Sequence, residues 1–346
     1  MEREAIGLPL NWKTETDVIG ADMVKITNSK WGNATPLVSI ITPVYNRVST
    51  MPRTIASVEA QTFRDFEYII VDDGSTDDLD SVVKPFMAST SIPVMYIKKE
   101  NGGVHTARNA GLSYARGTYS VEIDSDDELT PNALKSFVGA WNSIPEEDRP
   151  LYREVVAQCM DEHGKRCGEP FPDNINQLPN KEAHKLCSSI KGEHFSSSLM
   201  SVRKENPFLE PQGVTFYTES ILWAPLDKKY KSFFVNDIVR VYHSEGDDHL
   251  NTILDKTKKK ESVQACRNGM WECSYVLNRW KTYRGWEGDG YLKNLLRYSI
   301  LRCVLSKRKD DMVSRCKLRG IKNNFMYGVF YLPVLIYSRQ YEKERM

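Results

Sequence analysis

Residues 121–128 read Val-Glu-Ile-Asp-Ser-Asp-Asp-Glu, a short apolar strand that ends in a run of carboxylates. Two earlier segments have the same form: Ile-Ile-Thr-Pro-Val-Tyr-Asn at 40–46 and Ile-Ile-Val-Asp-Asp-Gly-Ser-Thr-Asp at 69–77. Parallel strands of this kind bring their polar ends to one edge of a sheet, which is where open α/β folds bind ligands. Because clustered carboxylates repel one another, the pattern predicts a divalent cation at that edge.

The segments around these motifs alternate between strand-like and helix-like patterns. Strands are predicted at 38–44, 66–71, 94–97 and 118–123, and helices at 50–63, 79–87, 103–115 and 131–141. This alternation indicates βαβ units and an α/β fold with a mostly parallel sheet flanked by helices. After residue 150 the pattern is mixed, with a strand at 152–160, a hairpin turn at 161–165, a helix at 218–230 and two short strands at 233–235 and 238–242.

The two ends of the chain differ from this middle part. Residues 1–35 show no clear period and are predicted to form an irregular lead-in, whereas residues 246–346 read as a helical extension. The extension is basic near Lys256 and residues 258–260, and it is aromatic and apolar over 325–337. We expect this last segment to pack on the domain as a helix, or to touch a membrane surface or partner.

Composition excludes several classes of protein. A formal net charge of +1 over 346 residues gives no reason to expect a nucleic-acid partner. The seven cysteines are odd in number and lack Cys-x-x-Cys spacing, which argues against a disulfide framework or a zinc site. The chain starts without a secretory signal pattern, and no stretch reaches the ~18 apolar residues of a membrane-spanning helix. The expected location is therefore cytoplasmic.

Asp124, Ser125 and Asp126 form a D-x-D element, and residues 124–127 are called the D-x-D loop from here on. Aspartate-rich loops also bind Ca²⁺, but the later glycine and glutamate of an EF-hand loop are absent. Two carboxylates suit a Mg²⁺ or Mn²⁺ ion that is already partly coordinated by phosphate oxygens. The element therefore predicts a metal–diphosphate site.

Two other motifs point to a nucleotide. In Asp72-Asp73-Gly74, the glycine permits a tight turn, and a carboxylate at this strand end can accept the imide N–H of a uracil. The segment 101–109 places Gly102 and Gly103 before a helix, but its spacing fits neither a P-loop nor a dinucleotide fingerprint. Arg108, one turn into that helix, can reach back toward a nucleotide or stay solvated.

Glu219 and His243 carry a weaker signal. A glutamate in the first turn of a helix is commonplace, because the helix dipole stabilises it there. A single histidine after a strand usually has a structural role. Pattern alone therefore assigns neither residue to chemistry.

Taken together, the segments 38–46, 72–77, 101–111 and 123–127 resemble glycosyltransferase family 2, with a GT-A fold. The resemblance is strong over residues 36–142 and weaker from there to residue 245. Within the weaker part, residues 161–165 and 216–243 are similar to a bacterial polysaccharide-type branch of the family. It implies a GT-A domain over 36–245, with a nucleotide-binding half (36–142) and an acceptor half (143–245). It also implies a nucleotide-diphosphate sugar donor, with UDP as the expected nucleotide, a divalent metal (Mg or Mn), and inversion at the anomeric carbon.

The resemblance also implies roles for individual residues. Pro43, Tyr45 and Asn46 would border the nucleoside, and Asp73, with Asp72 beside it, would contact the base near Arg108. Asp124, Ser125 and Asp126 would hold the diphosphate and the metal, with Asp126 as the direct ligand and His243 as a late ligand. Glu219 occupies the position of the general base, although the residue after it is Ser220 where similar enzymes often have aspartate.

Two other functions stay open at this point. A sugar nucleotidyltransferase also uses an α/β nucleotide site, but it needs a glycine-rich, basic loop after the first strand, and residues 42–48 lack one. A degenerate sugar-nucleotide-binding protein would keep the donor site without the base. The leading expectation is a transferase that acts on a saccharide or lipid-linked saccharide acceptor. Peripheral membrane contact is expected through the C-terminal region. The sequence does not define the oligomeric state.

Overall fold

The computed structural model describes residues 13–15, 23–243, 263–279, 291–319 and 327. The chain divides into two compact units. The first unit consists of residues 1–209 and 229–244, and the second of residues 210–228 and 245–346. The boundaries predicted at 35/36 and 245/246 remain predictions.

The first unit is built on one sheet, which has ten strands in the described residues. Their order across the sheet is β1-β2-β5-β4-β3-β6-β9-β8-β10-β7. The strands are β1 (Lys13–Glu15), β2 (Val24–Thr27), β3 (Val38–Val44), β4 (Phe66–Asp72), β5 (Val94–Lys98), β6 (Tyr119–Glu122), β7 (Glu128–Leu129), β8 (Tyr152–Asp161), β9 (His194–Leu199) and β10 (Lys231–Tyr242).

The centre of the sheet is parallel, as predicted. β5, β4, β3 and β6 pair in parallel with one another, and β8 pairs in parallel with β10. β2, β7 and β9 each run antiparallel to the strands beside them. The other seven of the ten described strands all run in the same direction, which confirms a mostly parallel sheet.

Helices cover both faces of this sheet. The first unit contains α1 (Met51–Glu59), α2 (Asp80–Ser89), α3 (Val104–Tyr114), α4 (Ala133–Ser143), α5 (Asn180–Ser189) and α6 (Met200–Glu205). Apolar residues of α1, α2 and α4 form one core with Ile40 and Ile70, and α3 packs on the opposite face against Ile41 and Val71. Neighbouring positions of β3 and β4 are thus buried on opposite faces, as expected of a central strand. The predicted α/β fold class is confirmed.

Two local predictions are wrong. Residues 233–235 and 238–242 belong to one strand, β10. The pairing of β10 with β8 shifts in register between Phe234 and Ile238, so the strand continues through the Asn-Asp pair. Asn236 exchanges hydrogen bonds of 2.7 and 2.8 Å with the backbone of Phe171, which replace a turn. The lead-in is not wholly irregular, since β2 lies in it.

The regular elements described in the second unit are helices. It contains α7 (Ser220–Leu226), α8 (Val263–Asn278), α9 (Tyr291–Lys307) and α10 (Met312–Arg315), which confirms the predicted helical C-terminal region. α8 packs against α9, and the hydroxyl of Tyr298 donates to the Cys316 carbonyl at 2.7 Å. α7 is shorter than the helix predicted over 218–230. The basic cluster at Lys256 and 258–260, and the segment 325–337 apart from Tyr327, lie outside the described residues.

Within the described part of the chain, every helix is too short or too polar to span a bilayer.

Candidate active site

The carboxyl ends of β3, β4 and β6 meet at one edge of the sheet. In the parallel pairs, Val44 of β3 lies opposite Asp72 of β4, and Ile41 of β3 lies opposite Glu122 of β6. The loops that leave the three strands therefore start side by side. This arrangement brings together most of the residues that the sequence selects, and the loop after β3 contacts both of the others.

Asn46 ties the loop after β3 to the loop after β4. Its Oδ1 accepts a hydrogen bond from the Thr76 backbone N–H at 2.7 Å, and its own N–H donates to Ser75 Oγ at 3.0 Å. The Val48 N–H donates to Asp77 Oδ2 at 2.8 Å, which adds a second link. Asn46 adopts a φ of 52°, in the left-handed region that asparagine enters more readily than most residues. Its amide therefore shapes the edge at which a ligand would lie.

Tyr45 and Pro43 differ in their access to this edge. Tyr45 is 47% exposed, so its ring presents a face to the space beyond the strands. Pro43 is buried within β3, opposite Val71. Their predicted contact with a nucleoside remains a prediction.

Asp72 is buried and holds the turn that follows β4. Its Oδ1 accepts from the Ser75 N–H at 2.7 Å, and its Oδ2 accepts from the Tyr96 hydroxyl at 3.2 Å. The same turn needs Gly74, whose φ is +76° and where a Cβ would come within 2.7 Å of the Asn101 backbone nitrogen. Asp72 thus has a structural role in addition to any contact with a ligand.

Asp73, also buried, anchors the start of α3. Its Oδ1 accepts from the Gly102 N–H at 3.0 Å and from Lys99 Nζ at 2.5 Å, and its Oδ2 accepts from the Gly103 N–H at 2.8 Å. Both oxygens therefore already have donors from the glycine loop. The predicted contact of Asp73 with a base stays a prediction, and it would use the remaining acceptor capacity of these oxygens.

Three side chains from the start of α1 hold the backbone of the D-x-D loop. Each donates to a carbonyl oxygen of that loop: Thr50 Oγ1 to Ser125 at 2.8 Å, Arg53 Nε to Asp126 at 3.1 Å, and Thr54 Oγ1 to Asp127 at 2.8 Å. The donors stand at i, i+3 and i+4, which places them on one face of a helix. Sequence reasoning missed them, although a polar stripe beside the buried Met51 and Ile55 marks that face.

Asp124 pairs with Arg108. Nη2 of Arg108 lies 2.8 Å from Asp124 Oδ1, and its Nε lies 3.9 Å from Glu122 Oε2. Desolvation raises the pKa of Asp124, but the positive charges of Arg108 and Arg240 outweigh this and hold its pKa below the usual aspartate value. Arg108 therefore faces the D-x-D loop in this structure, and its predicted place near the base remains a prediction.

The side chain of Asp126 lies near Arg47 at the surface of the loop. It is 19% exposed, and Oδ2 lies 3.9 Å from Arg47 Nε. Asp124 is 43% exposed, so both carboxylates of the D-x-D element reach the surface of the edge. Ser125 between them is buried, and its carbonyl faces Thr50.

Asp127, to which the sequence assigned no role, joins the loop to the end of β10. Its Oδ2 lies 2.6 Å from Arg240 Nη2, and its Oδ1 accepts from the His243 N–H at 3.0 Å. Burial raises the pKa of Asp127 to about 7, with the charges of Asp124 and Asp126 adding to the effect and Arg240 opposing it. Only the order of the strands brings residues 127 and 240 together, so no local pattern indicates this pair.

The side chain of His243 faces Glu128. Its Nε2 lies 2.7 Å from Glu128 Oε1, next to the D-x-D loop. Binding a metal through Nε2 would require the imidazole to give up this contact. The predicted metal-ligand role of His243 remains a prediction.

Glu219 belongs to the second unit, where it directly precedes α7. Its Oε2 accepts a hydrogen bond from Trp223 Nε1 at 3.3 Å, and its backbone carbonyl accepts from the Leu222 N–H at 2.8 Å. The first contact is a typical i, i+4 pair on a helix. The assignment of Glu219 as general base remains a prediction.

The donor set at the D-x-D loop can be compared with the needs of a metal ion. No group of three or more His, Cys, Asp or Glu side chains is placed to hold a metal among the residues described. The loop offers two accessible carboxylates, Asp124 and Asp126. Mg²⁺ and related ions are often held by one or two carboxylates, with water and substrate phosphate as the other ligands. The residues fit a metal that arrives with a diphosphate, and they do not form an all-protein cage.

Comparison with known proteins gives a consistent family. Residues 39–148 match the model of the glycosyl transferase family 2. The chain is 30% identical over 212 residues to the GalNAc(5)-diNAcBac-PP-undecaprenol beta-1,3-glucosyltransferase of Campylobacter jejuni, covering 60% of this chain and 64% of that protein. It is 33% identical over 229 residues to an uncharacterized glycosyltransferase of Rickettsia prowazekii, covering 66% of this chain and 70% of the relative.

Among solved structures, Staphylococcus aureus TarS 1-349 in complex with UDP aligns with a TM-score of 0.49 and 14% sequence identity. That alignment covers 88% of this chain and 91% of the TarS chain.

Proposed function

The chain belongs to glycosyltransferase family 2, and we propose that it transfers a sugar from a nucleotide-diphosphate sugar to a saccharide or lipid-linked saccharide acceptor, with inversion at the anomeric carbon. One observation carries the proposal. The ends of three parallel strands deliver an exposed tyrosine, a buried pair of aspartates and an accessible D-x-D element to one edge of the sheet. This is the place where open α/β sheets bind ligands.

The donor would lie along this edge. The exposed ring of Tyr45 offers a surface on which a base can stack, and Asp73 offers acceptor oxygens for an imide N–H. At the other end, the carboxylates of Asp124 and Asp126 face outward from the loop that α1 holds. The separation of an aromatic surface from a pair of carboxylates suits a nucleoside at one end and a diphosphate at the other.

The D-x-D element would hold a divalent cation, Mg²⁺ or Mn²⁺, through Asp126 and Asp124. When bound, such an ion supplies Lewis-acid stabilisation of the charge on the departing nucleoside diphosphate. The contribution of the protein is to fix the loop. Thr50, Arg53 and Thr54 hold its carbonyl groups, and these contacts do not use the carboxylates of Asp124 and Asp126.

Inversion needs a single base on the face of the sugar opposite the leaving group. We assign this role to Glu219, which would accept the proton of the acceptor hydroxyl as the new bond forms. The anomeric carbon is expected to pass through an oxocarbenium-like transition state, as in glycoside hydrolysis. No protein acid is required, because the nucleoside diphosphate leaves as an anion.

The acceptor is proposed by analogy with a relative. The Campylobacter jejuni protein is named for a glycan carried on undecaprenyl diphosphate, which supports a lipid-linked saccharide acceptor here. Such an acceptor would place the enzyme at the cytoplasmic face of a membrane, in a pathway of polysaccharide synthesis.

Donor turnover tests the proposal. The chain is incubated with single nucleotide sugars, Mn²⁺ and a mixture of short oligosaccharides and lipid-linked saccharides, and the released nucleoside diphosphate and the product glycan are measured. We expect both to appear together with at least one donor. Formation of pyrophosphate from a nucleoside triphosphate and a sugar phosphate would identify a nucleotidyltransferase. Donor binding without turnover over the whole panel would identify a binding protein.

A further inference from the structure

Four charged side chains form a chain that ends at the D-x-D element. Arg203, on α6, donates from Nε to Glu122 Oε1 at 2.8 Å and from Nη2 to Oε2 at 3.3 Å. Glu122 lies 3.9 Å from Arg108 Nε, and Arg108 Nη2 lies 2.8 Å from Asp124 Oδ1. Cation and carboxylate therefore alternate from the interior of the first unit to the edge of the sheet.

The two ends of this chain differ in burial. The side chain of Arg203 is 1% exposed, whereas that of Asp124 is 43% exposed. The ring of Phe208 lies beside both arginines, with the Arg203 guanidinium 4.9 Å and the Arg108 guanidinium 5.8 Å from its centroid. Phe208 is itself fixed, because Asn109 exchanges hydrogen bonds of 2.8 and 2.9 Å with its backbone. The two arginines are thus packed against a fixed ring, and Asp124 is the most exposed of the four side chains.

The two arginines make their short contacts with different carboxylates. Arg203 makes two hydrogen bonds to Glu122, whereas Arg108 lies 3.9 Å from Glu122 and 2.8 Å from Asp124. The two cations and two carboxylates sum to zero charge.

We propose that Arg108 is a resident counter-ion of the D-x-D element, which competes with the divalent cation for Asp124. The proposal rests on the metal site of the proposed function. Arg108 uses Asp124 Oδ1, and its positive charge opposes a second cation on the same carboxylate. Metal binding in the absence of nucleotide is therefore weakened, and the ion enters the site together with the diphosphate.

The test is a titration of the purified full chain with Mn²⁺ alone, followed by electron paramagnetic resonance of the free ion. The variants are Arg108→Met and Arg108→Gln, the second of which retains hydrogen-bond donors on a shorter, uncharged side chain. The matched control is Arg64→Met, which removes the same charge from an exposed arginine that contacts the Glu59 carbonyl. Circular dichroism and thermal unfolding without metal establish that each variant is folded.

Removal of Arg108 is expected to tighten Mn²⁺ binding roughly two- to fivefold, the range that corresponds to a partly exposed ion pair. Arg64→Met should leave the affinity unchanged. Unchanged or weaker Mn²⁺ binding by a folded Arg108 variant, or no binding by either the variant or the wild type, would overturn the proposal.

A second titration, with UDP present, separates this inference from the proposed function. If the wild type fails to bind Mn²⁺ even with UDP, the metal role of the D-x-D element is wrong, and the inference is overturned with it. If the wild type binds Mn²⁺ with UDP but Arg108→Met shows no gain without it, only the competition is overturned.

Discussion

Arg240 lies with its Nη2 atom 2.6 Å from Asp127 Oδ2, and this ion pair joins the long strand β10 to the D-x-D loop. The other oxygen of Asp127 accepts the His243 N–H, so one carboxylate holds two positions near the end of β10. Both side chains are buried, and the Arg240 guanidinium also lies 5.3 Å from the centroid of the Phe195 ring. The candidate metal loop is therefore fixed from two sides, by α1 and by β10.

Removing the cation of this pair should destabilise the protein strongly. Above about pH 7, where Asp127 is ionised, Arg240→Met leaves its carboxylate buried without its partner, and breaking a buried pair in this way typically costs about 3–5 kcal/mol. Urea denaturation should show this loss in the free energy of unfolding. Arg64→Met, which removes an exposed arginine, serves as the control and should change stability by less than about 0.5 kcal/mol. A similar stability for Arg240→Met and the control would contradict the structural role of the pair.

Asp127 should also give the stability a distinct pH dependence. Its pKa is about 7 in the folded chain, against 3.8 as the ordinary value, so between these pH values the folded chain holds a proton that the unfolded chain has released. The contribution of this group to the free energy of unfolding is therefore fully present below about pH 4 and is lost as the pH rises to about 7.

The variant Asp127→Asn removes this titration. We expect the free energy of unfolding of the wild type, measured relative to that of Asp127→Asn, to fall as the pH is raised from about 4 to about 7 and to level off above. Denaturation curves at several pH values measure it. A relative stability that rises with pH in this window would mean that Asp127 is ionised throughout.

The side chain of Asp126 should be needed for transfer but not for folding. It is partly exposed, and the backbone carbonyl of Asp126, which alanine would keep, accepts a hydrogen bond from Arg53 Nε at 3.1 Å. Asp126→Ala is expected to abolish metal-dependent sugar transfer while the thermal unfolding midpoint stays close to that of the wild type. Asp65→Ala, at an exposed position just before β4 and so at the opposite edge of the sheet, should retain full activity. Normal donor turnover by Asp126→Ala would remove this residue from the metal site.

Glu219→Gln tests the proposed base separately from donor binding. Loss of general-base assistance typically lowers a rate by ~10²–10⁴-fold. We expect kcat to fall by this order while the affinity for the nucleotide sugar, measured by calorimetry, stays unchanged. The exposed Glu210 lies in the same unit, and Glu210→Gln provides the control. Wild-type kcat in Glu219→Gln would show that another group accepts the proton.

The nucleotide-binding half was largely predictable from the sequence. β3 coincides with the predicted strand, because seven consecutive residues that are buried in the middle of a sheet leave a continuous, mostly apolar signal. The helices that follow β3 and β5 begin within one residue of their predicted starts. The grouping of Tyr45, Asp72 and Asp124 at one edge also followed from parallel strands that end in polar residues.

Other parts of the fold depend on distant contacts. β9 contains three consecutive serines, and it forms a strand because it lies between β6 and β8, not because of its own propensity. The donors from α1 to the D-x-D loop are more than 70 residues away in sequence, and Arg240 is farther still from Asp127. Such pairs follow from tertiary packing. The location of the site could therefore be predicted from the sequence, but the residues that hold the D-x-D loop in place could not.

The most direct test of the central claim is the thermal stability of the chain with a panel of nucleotide sugars, measured in Mn²⁺ and in EDTA. Ligand that binds only the folded state raises its stability in proportion to the logarithm of ligand over Kd. We predict that at least one UDP-linked sugar raises the Tm in Mn²⁺, and that EDTA or Asp126→Ala removes most of the increase. An equal increase in EDTA and in Asp126→Ala, or no increase with any nucleotide sugar, would contradict a metal–diphosphate site at the D-x-D loop.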